Sequence, residues 1–366
     1  MKWLETPSVY QIAKDELYEL DGDSFRFLKR CASDKGCSSR DSAFTDYCIE
    51  EGLLTTEKVS ISRPPLTRSP NPSLRYLELQ ITDACNLQCK HCYIGGSGGN
   101  ELAPGEVRNI LAELEKMQGL RVLITGGEPL LHKQFAEINE MLPDFLLRKV
   151  LFTNGTLLTR ESVKSLKVDE VQVSIDGLEH AHDRVRGSGS FARAMKGLRH
   201  ALDAGFAVSV STMVHEGNLS DFDSMERMFK DMAIREWTVD VPCLTGRLKE
   251  NDGFHVSPGV GGRYLGYGYG GGLHSTAVGY GCGYHLMAVL ADGKAAKCAF
   301  YRDQAACAAG QGLLTAWRQI RPVRLKDLAC NCGYLEVCRG GCRYRAELIS
   351  GKGGKDPYRC TMYGII

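Results

Sequence analysis

From residue 74 to about 241 the chain alternates short apolar runs with longer amphipathic ones. The short runs, 74–82, 121–125, 149–153, 170–175, 207–213 and 236–241, read as six strands. Between them apolar residues recur at helical spacing over 104–118, 133–142, 159–166, 190–204 and 219–233. Strands separated by helices in this order predict an α/β domain on a parallel sheet, either a partial (β/α)6 barrel or a doubly wound sheet. In parallel barrels chemistry collects at the carboxyl ends of the strands, so the loops after each strand are where functional side chains are expected.

The flanks read differently. Residues 1–67 show strand character over 9–20 and helical character over 24–32 and 42–52, ahead of the linker-like Ser69-Pro-Asn-Pro-Ser73. After the domain over 75–245, the stretch 246–281 is rich in glycine; twelve glycines lie between Gly253 and Gly283, interleaved with Tyr264, Tyr267, Tyr269 and Tyr280. That density predicts a long connection without regular structure, either a plain link or a lid that contacts substrate. Residues 282–366 are turn-rich and hold eight of the fifteen cysteines, which predicts a small domain stapled by metal.

The 366 residues exceed the size at which one core usually stops growing, consistent with a large domain and smaller satellites. A formal charge of +1 gives no electrostatic case for nucleic acid. No apolar run reaches the length of a membrane span, and the start lacks a signal-peptide core, so no membrane association and a cytoplasmic location are expected. In that compartment the cysteines argue for metal ligation rather than a disulfide framework. Cys31, Cys37 and Cys48 fall in no ligand pattern and read as buried, inert thiols.

The most informative group is Cys85-x3-Cys89-x2-Cys92, directly after the first strand. A closed structural zinc site wants four ligands, whereas an iron–sulfur cluster can be held by three and keep one iron open. Cys85, Cys89 and Cys92, followed by the aromatic Tyr93, resemble the signature of the radical S-adenosylmethionine (radical SAM) superfamily. Gly126-Gly127-Glu128-Pro129 after the second strand resembles its GGEP motif, whose backbone and carboxylate meet the methionine amino group. Asn154 after the third strand, Ser174 and Asp176 at the end of the fourth, and Arg186 in His182–Gly187 match positions that contact SAM. The resemblance implies a [4Fe–4S] cluster on the three cysteines that binds SAM, and cleavage of SAM to a 5′-deoxyadenosyl radical that takes hydrogen from a substrate.

The later cysteines resemble the SPASM extension of that superfamily, which carries two auxiliary iron–sulfur clusters. By that likeness Cys282, Cys298 and Cys342 serve the first, with Cys243 as candidate fourth ligand and Cys307 behind it. Cys330, Cys332, Cys338 and Cys360 serve the second, although Cys330-x-Cys332 departs from the family's C-x2-C. Residues 1–67 resemble small winged-helix domains that bind precursor leader peptides as an added strand. Together these imply a peptide-modifying enzyme whose partners are a short precursor peptide and an electron donor such as flavodoxin or ferredoxin. The rival readings are modification of a small metabolite, a tetrapyrrole side chain or a metalloenzyme cofactor, and a non-catalytic iron–sulfur carrier. The GGEP-like motif argues against a carrier, which needs no SAM contacts.

Overall fold

The computed structural model describes every residue except 34, 40, 60–64, 97, 271 and 275–277. At the amino terminus β1 (Lys2–Trp3), β2 (Pro7–Gln11) and β3 (Glu16–Glu19) form an antiparallel sheet in that order. The expected strand over 9–20 is therefore a hairpin, and its turn carries Asp15 at φ 62°. Helices α1 (Gly22–Cys31) and α2 (Ser42–Glu50) follow, each capped by an aspartate: Asp21 accepts the Ser24 N–H and Asp41 the Phe44 N–H.

The main domain runs β4 (Tyr76–Thr82), α3 (Pro104–Lys116), β5 (Arg121–Gly126), α4 (Phe135–Met141), β6 (Arg148–Thr153), α5 (Arg160–Ser165), β7 (Glu170–Ser174), α6 (Glu179–Arg186), α7 (Ser190–Asp203), β8 (Ala207–Met213), α8 (Phe222–Asp231) and β9 (Glu236–Asp240). These six strands are the predicted ones, and each pairs in parallel with the next. Strand alternation sends Leu77, Leu79, Ile81, Val122, Ile124, Val171, Val173, Val208 and Val210 into the main hydrophobic core. The opposite face is polar, carrying Glu78, Gln80, Gln172, Ser174, Ser209 and Ser211.

Three expectations change. The stretch 246–281 is not structureless: α9 (Pro258–Tyr264) forms inside it, and Gly261 and Gly262 are buried where an added Cβ would meet Tyr358 and Thr361. Tyr264 and Tyr267 pack on Phe222, and Tyr269 bridges to Trp237, so aromatic packing orders what glycine would loosen. Positions 271 and 275–277 of this stretch lie outside the described residues.

The cysteine-rich region is also not separate from the sheet. β10 (Leu286–Val289) pairs in parallel with β4, and β11 (Lys294–Ala296) and β12 (Cys307–Ala308) extend the edge antiparallel. Its helices are α10 (Leu313–Gln319), α11 (Leu335–Cys338), α12 (Arg343–Ser350) and α13 (Pro357–Met362), and Leu313 and Trp317 of α10 enter the main core. Finally, Cys31 and Cys37 form a disulfide with Cα atoms 5.0 Å apart, Cys31 half-buried and Cys37 exposed. Six residues of chain between α1 and the loop beyond it let the two thiols meet; only Cys48 of that trio is a buried free thiol. Among the described residues no helix is long and apolar enough to cross a membrane.

The turn of the β2–β3 hairpin plugs the amino-terminal end of the parallel strands. Asp15 pairs with Arg121 at the start of β5 (2.7 Å) and lies 3.6 Å from Arg148 at the start of β6. Arg148 also donates to the Ile12 carbonyl (2.7 Å) and to Glu170 (2.6 Å), and Arg235, just before β9, donates to the Lys14 carbonyl (2.7 Å). In a flat sheet the starts of β5 and β9 would be about 19 Å apart. That one turn reaches both shows the sheet curling into a partial barrel. Lys2 is buried beneath, donating to the Gly119 carbonyl (2.6 Å), and burial pushes its ammonium down to about 8.

Burial alone would raise the Asp15 carboxyl; His274, Arg121, Tyr10 and Arg148 outweigh it and hold it below its usual value. Replacing Asp15 by Ala leaves Arg121 without its carboxylate and should cost about 3–5 kcal/mol of unfolding free energy, read from the urea midpoint. This stabilisation is complete above the unfolded carboxyl pKa of ~3.9 and fades as pH falls through the lower folded value. Variant and parent should therefore converge in strong acid; a constant gap down to the acid transition would contradict the ion-pair account.

Candidate active site

At the other end of the barrel, the strand ends are welded before any ligand is considered. Gly127 donates to the Thr82 carbonyl (2.9 Å) and Glu128 to the Ala84 carbonyl (2.8 Å), so β5 leans directly on the loop that begins the cysteine run. A Cβ on Gly126 would lie 2.2 Å from the Thr82 carbonyl oxygen, and one on Gly127 2.3 Å from that of Ala84. The paired glycines are a packing requirement of this approach, and they leave backbone rather than side chain facing the site.

Glu128 is fully buried and its carboxylate is already engaged. It accepts from the Thr153 hydroxyl (2.8 Å), the Asn154 N–H (2.8 Å) and the Leu130 N–H (3.2 Å), locking β5 to the end of β6. Burial pushes its carboxyl up to about 7, offset in part by those donors and by Arg186. Asn154 is equally occupied: its amide donates to Asn86 of the cysteine loop (2.9 Å) and its oxygen accepts from Thr156.

Asp176 is the central anion. Fully buried, it lies 3.0 Å from Nε2 of His91, accepts Nε of Arg186 at 2.5 Å and the Met213 N–H at 2.7 Å, and its own N–H donates to His182. Burial would raise its carboxyl, but Arg186 and then His91 hold it well below the usual range. The two side-chain oxygens are thus engaged within the protein rather than offered to a ribose. Ser174 ends β7 on the polar face, half-buried, paired in register with Ser211.

Cys85, Cys89 and Cys92 share this environment. The Leu87 N–H donates to the Cys85 sulfur (3.4 Å), and the loop is held by Lys90 N–H to the Val185 carbonyl (2.8 Å). Burial pushes the Cys89 thiol up to about 11; the Arg186 guanidinium beside it pulls the other way, and the neighbouring Cys92 and Cys85 add to the rise. Three thiols that feel one another around a fixed cation are a donor set suited to soft metal, and thiolate ligation would take up the charge that burial resists. Among the described residues no three His, Cys, Asp or Glu side chains close on a single-ion position. The fit to a cluster therefore rests on donor type and on three thiols near enough to feel one another's charge.

The later cysteines fall into two sets. Cys243, Cys282, Cys298 and Cys342 gather in one pocket with Tyr93, Phe300, Tyr301 and Tyr344. Within it the free thiols of Cys243 and Cys342 hydrogen-bond to one another, as do those of Cys298 and Cys282, which raises the Cys243 and Cys298 thiols. Cys307 lies apart on β12, packed on the main core. Cys330, Cys332 and Cys360 feel one another, and Cys330 also feels Cys338, whose sulfur accepts the Gly340 N–H (3.3 Å). A buried ion network sets both groups: Arg345 binds Asp240 at the end of β9 (2.7 Å) and Asp356 ahead of α13 (2.8 Å). Tyr93 sits between the first cysteine loop and this pocket, accepting from Gln80 (3.0 Å) with its ring 4.8 Å from Phe300.

Three participants were not singled out in the sequence. His91 lies inside the cysteine run yet acts through Asp176, and its Nδ1 is buried with no partner among the described residues. Gly246 lets the chain after β9 strap the loop: a Cβ there would lie 2.3 Å from the Cys92 carbonyl oxygen, to which Arg247 N–H donates (3.0 Å). Glu78 is a carboxylate on the polar face that accepts the Ala299 N–H (2.8 Å) next to Cys298, and burial raises its carboxyl. Only the odd placement of a charged residue inside an apolar strand run could have signalled it.

Replacing Asp176 by Ala should cost about 3–5 kcal/mol, because Arg186 stays buried without its partner. It should also lower the iron bound by Cys85, Cys89 and Cys92 after anaerobic reconstitution, measured as iron per chain. Undiminished iron would show that the loop is held without this carboxylate.

Comparison with known proteins agrees with this architecture. Residues 79–229 match the model of the radical SAM superfamily. The AdoMet-dependent heme synthase of Methanosarcina barkeri is 34% identical over 192 residues, 50% of this chain and 54% of that protein. The chain thus spans about half the length of the first curated relatives it matches. The mycofactocin maturase MftC of Mycobacterium ulcerans is 28% identical over 342 residues, covering 79% of this chain and 88% of that one. The crystal structure of Streptococcus suis SuiB bound to S-adenosylmethionine superposes with a TM-score of 0.64 at 16% identity, covering 98% and 99% of the two chains. Residues 79–229, which run from within β4 to within α8, thus resemble a radical SAM domain.

Proposed function

We propose that the chain is a radical SAM enzyme that modifies a ribosomally made precursor peptide by hydrogen abstraction, leading to crosslinking, oxidation or epimerisation. One observation carries the chemistry: the ends of β5, β6, β7 and β8 are all bonded to the loop of Cys85, Cys89 and Cys92 or to its His91–Asp176 anchor. When bound there, a [4Fe–4S] cluster and SAM supply a 5′-deoxyadenosyl radical. The three thiolates hold the cluster, and Arg186 offsets their negative charge while Asp176 fixes its direction. Because the Glu128 and Asn154 side chains are engaged internally, SAM would be met by backbone around Gly126–Glu128, by Ser174 and by the remaining guanidinium nitrogens of Arg186. Tyr93 would serve between the SAM site and the pocket of Cys243, Cys282, Cys298 and Cys342. That pocket and the set Cys330, Cys332, Cys338 and Cys360 each supply four thiols, the number a closed [4Fe–4S] auxiliary cluster uses.

The peptide reading is supported by likeness over most of the chain to MftC, named a maturase, and to SuiB, also solved bound to precursor peptide SuiA. The three-stranded sheet and two helices of residues 1–67 would bind the leader. Exposed Tyr47 on α2 stands edge-on to Tyr18 of β3 at 6.5 Å, beside a strand edge with no partner among the described residues. An electron donor and a cytoplasmic setting complete the reading. A second reading, modification of a tetrapyrrole, is favoured by the 34% identity to the heme synthase over half of this chain.

Replacing Cys89 by Ala should abolish 5′-deoxyadenosine formation; its persistence would exclude the radical SAM mechanism. Co-expression with a short peptide encoded beside the chain should give that peptide a mass change, loss of two hydrogens for a crosslink. Peptide left unmodified, with turnover of an iron-coproporphyrin instead, would select the tetrapyrrole reading.

A further inference from the structure

A carboxylate without a cation opens into the barrel interior. β4 is flanked by β10 on one side and β5 on the other, and Leu77 and Leu79 send its second face into the main core. Glu78, mid-strand and still partly accessible, can therefore open only toward the interior. Its Oε2 accepts the Ala299 N–H (2.8 Å), and Oε1 accepts no hydrogen bond among the described residues. Three other acids around the interior are placed differently: Glu170 is bonded to Arg148 (2.6 Å), Asp176 to Arg186 and Asp240 to Arg345 (2.7 Å). Glu78 forms no ion pair among the described residues. A carboxylate held in a protein interior by one donor is costly, and a ligand that brings a cation would relieve that cost.

The surroundings define the ligand. Glu78 stands one position before Gln80 on the same face and four residues before the end of β4 at Thr82, roughly 13 Å at ~3.3 Å per residue. Gln80 donates to the Tyr93 hydroxyl (3.0 Å). Ala299, which Glu78 holds, precedes Phe300, whose ring lies 4.8 Å from Tyr93 and stacks at 6.1 Å on Tyr344. The carboxylate thus stands at the foot of an aromatic wall. Across the interior, the same polar face carries Gln172, Ser174 and Ser211, all partly accessible and uncharged.

A group that reaches Glu78 from the cysteine loops must be long, offer an apolar stem to aromatic rings and end in a cation. Lysine and arginine side chains have this build. The carboxylates of a tetrapyrrole would meet Glu78 as like charges.

We propose that Glu78 recognises substrate by binding the ammonium or guanidinium of a lysine or arginine, whose stem lies along Tyr93 and Phe300. This rests on the peptide-modifying reading and narrows it: the peptide segment that enters the barrel carries a basic side chain. No bond is made or broken in this step.

The test uses the anaerobically purified, iron-loaded chain with SAM and without reductant, so that nothing turns over. The probes are the acetylated amides of lysine, arginine, norleucine and glutamate, and binding is read by saturation-transfer NMR. The parent should bind the lysine and arginine amides about tenfold or more tighter than the other two. Glu78→Gln keeps an acceptor for the Ala299 N–H; it should lose about tenfold in lysine-amide affinity and bind the norleucine amide as the parent does, with iron per chain unchanged. Added salt should weaken the lysine contact little, because the pair forms inside the barrel. Equal affinity of the parent for the lysine and norleucine amides, or no saturable binding of the lysine amide, would overturn the proposal. So would a lysine preference that survives in Glu78→Gln, since Glu78 would then serve only to hold the Ala299 N–H beside Cys298. Lysine selectivity through Glu78 in a chain that modifies no co-expressed peptide would leave the recognition site standing and sink the peptide reading. A co-expressed peptide still modified after every Lys and Arg outside its leader is replaced by Met would do the reverse.

Discussion

The candidate site depends on one buried charge, Asp176. A carboxylate with no solvent exposure is tolerated only where its partners compensate desolvation, and here they come from three directions: His91 from the cysteine loop, Arg186 from α6 and a backbone N–H from the end of β8. Its backbone carbonyl adds a fourth and fifth attachment, accepting from His215 and Asn218. Because those partners lie on different elements, satisfying one carboxylate fixes the cysteine loop, the Arg186 guanidinium and the far strand together. The cation then stands beside a thiol that burial pushes up, and it opposes that rise only in part.

The same logic governs Glu128, with a different outcome. Its carboxylate holds the β5 and β6 ends together, and three hydrogen-bond donors leave it short of compensation, so its carboxyl rises rather than falls. The two motif acids thus hold strand ends and the cysteine loop together, and on the proposed reading a ligand would meet glycine backbone, Ser174 and Arg186 instead. Polar residues at strand ends carry the chemistry indirectly, by fixing where backbone and cation stand.

The six central strands and five of the helices between them were legible because each has its own apolar period, and the cysteine loop because its spacing is local, whereas the short, mostly polar α6 (Glu179–Arg186) was not read as a helix. The two later cysteine sets were legible as a pattern, and Cys243, the candidate fourth ligand of the first, lies in the same packed cluster as Cys342. Three things were not legible. The order in 246–281 comes from tyrosines packing on Phe222 and Trp237, partners remote in sequence, so glycine content alone pointed to a loose connection. Strand β10 has only four residues and earns its place by pairing with β4, some two hundred residues away. The Cys31–Cys37 disulfide joins half-buried and exposed positions, which neither composition nor compartment would suggest.

The geometry of the two barrel ends constrains how a peptide would be handled. Asp15 seals the amino-terminal end through Arg121, Arg148 and the Lys14–Arg235 contact, so residues 1–50 are anchored opposite to the cysteine loops. Removing that segment would unpair buried arginines and expose Leu120, so its loss would disturb the barrel as well as any peptide contact. The strands between the two ends are five to seven residues long, and the longest, such as Tyr76–Thr82, span roughly 23 Å at ~3.3 Å per residue. A precursor held at the amino-terminal sheet must therefore run at least about seven extended residues along the outside of the barrel before its reacting position reaches the polar face near Glu78 and Ser174. On the proposed reading, anchoring and chemistry would be separated by a fixed distance, which would make the length between leader and modified residue a structural requirement rather than a matter of affinity.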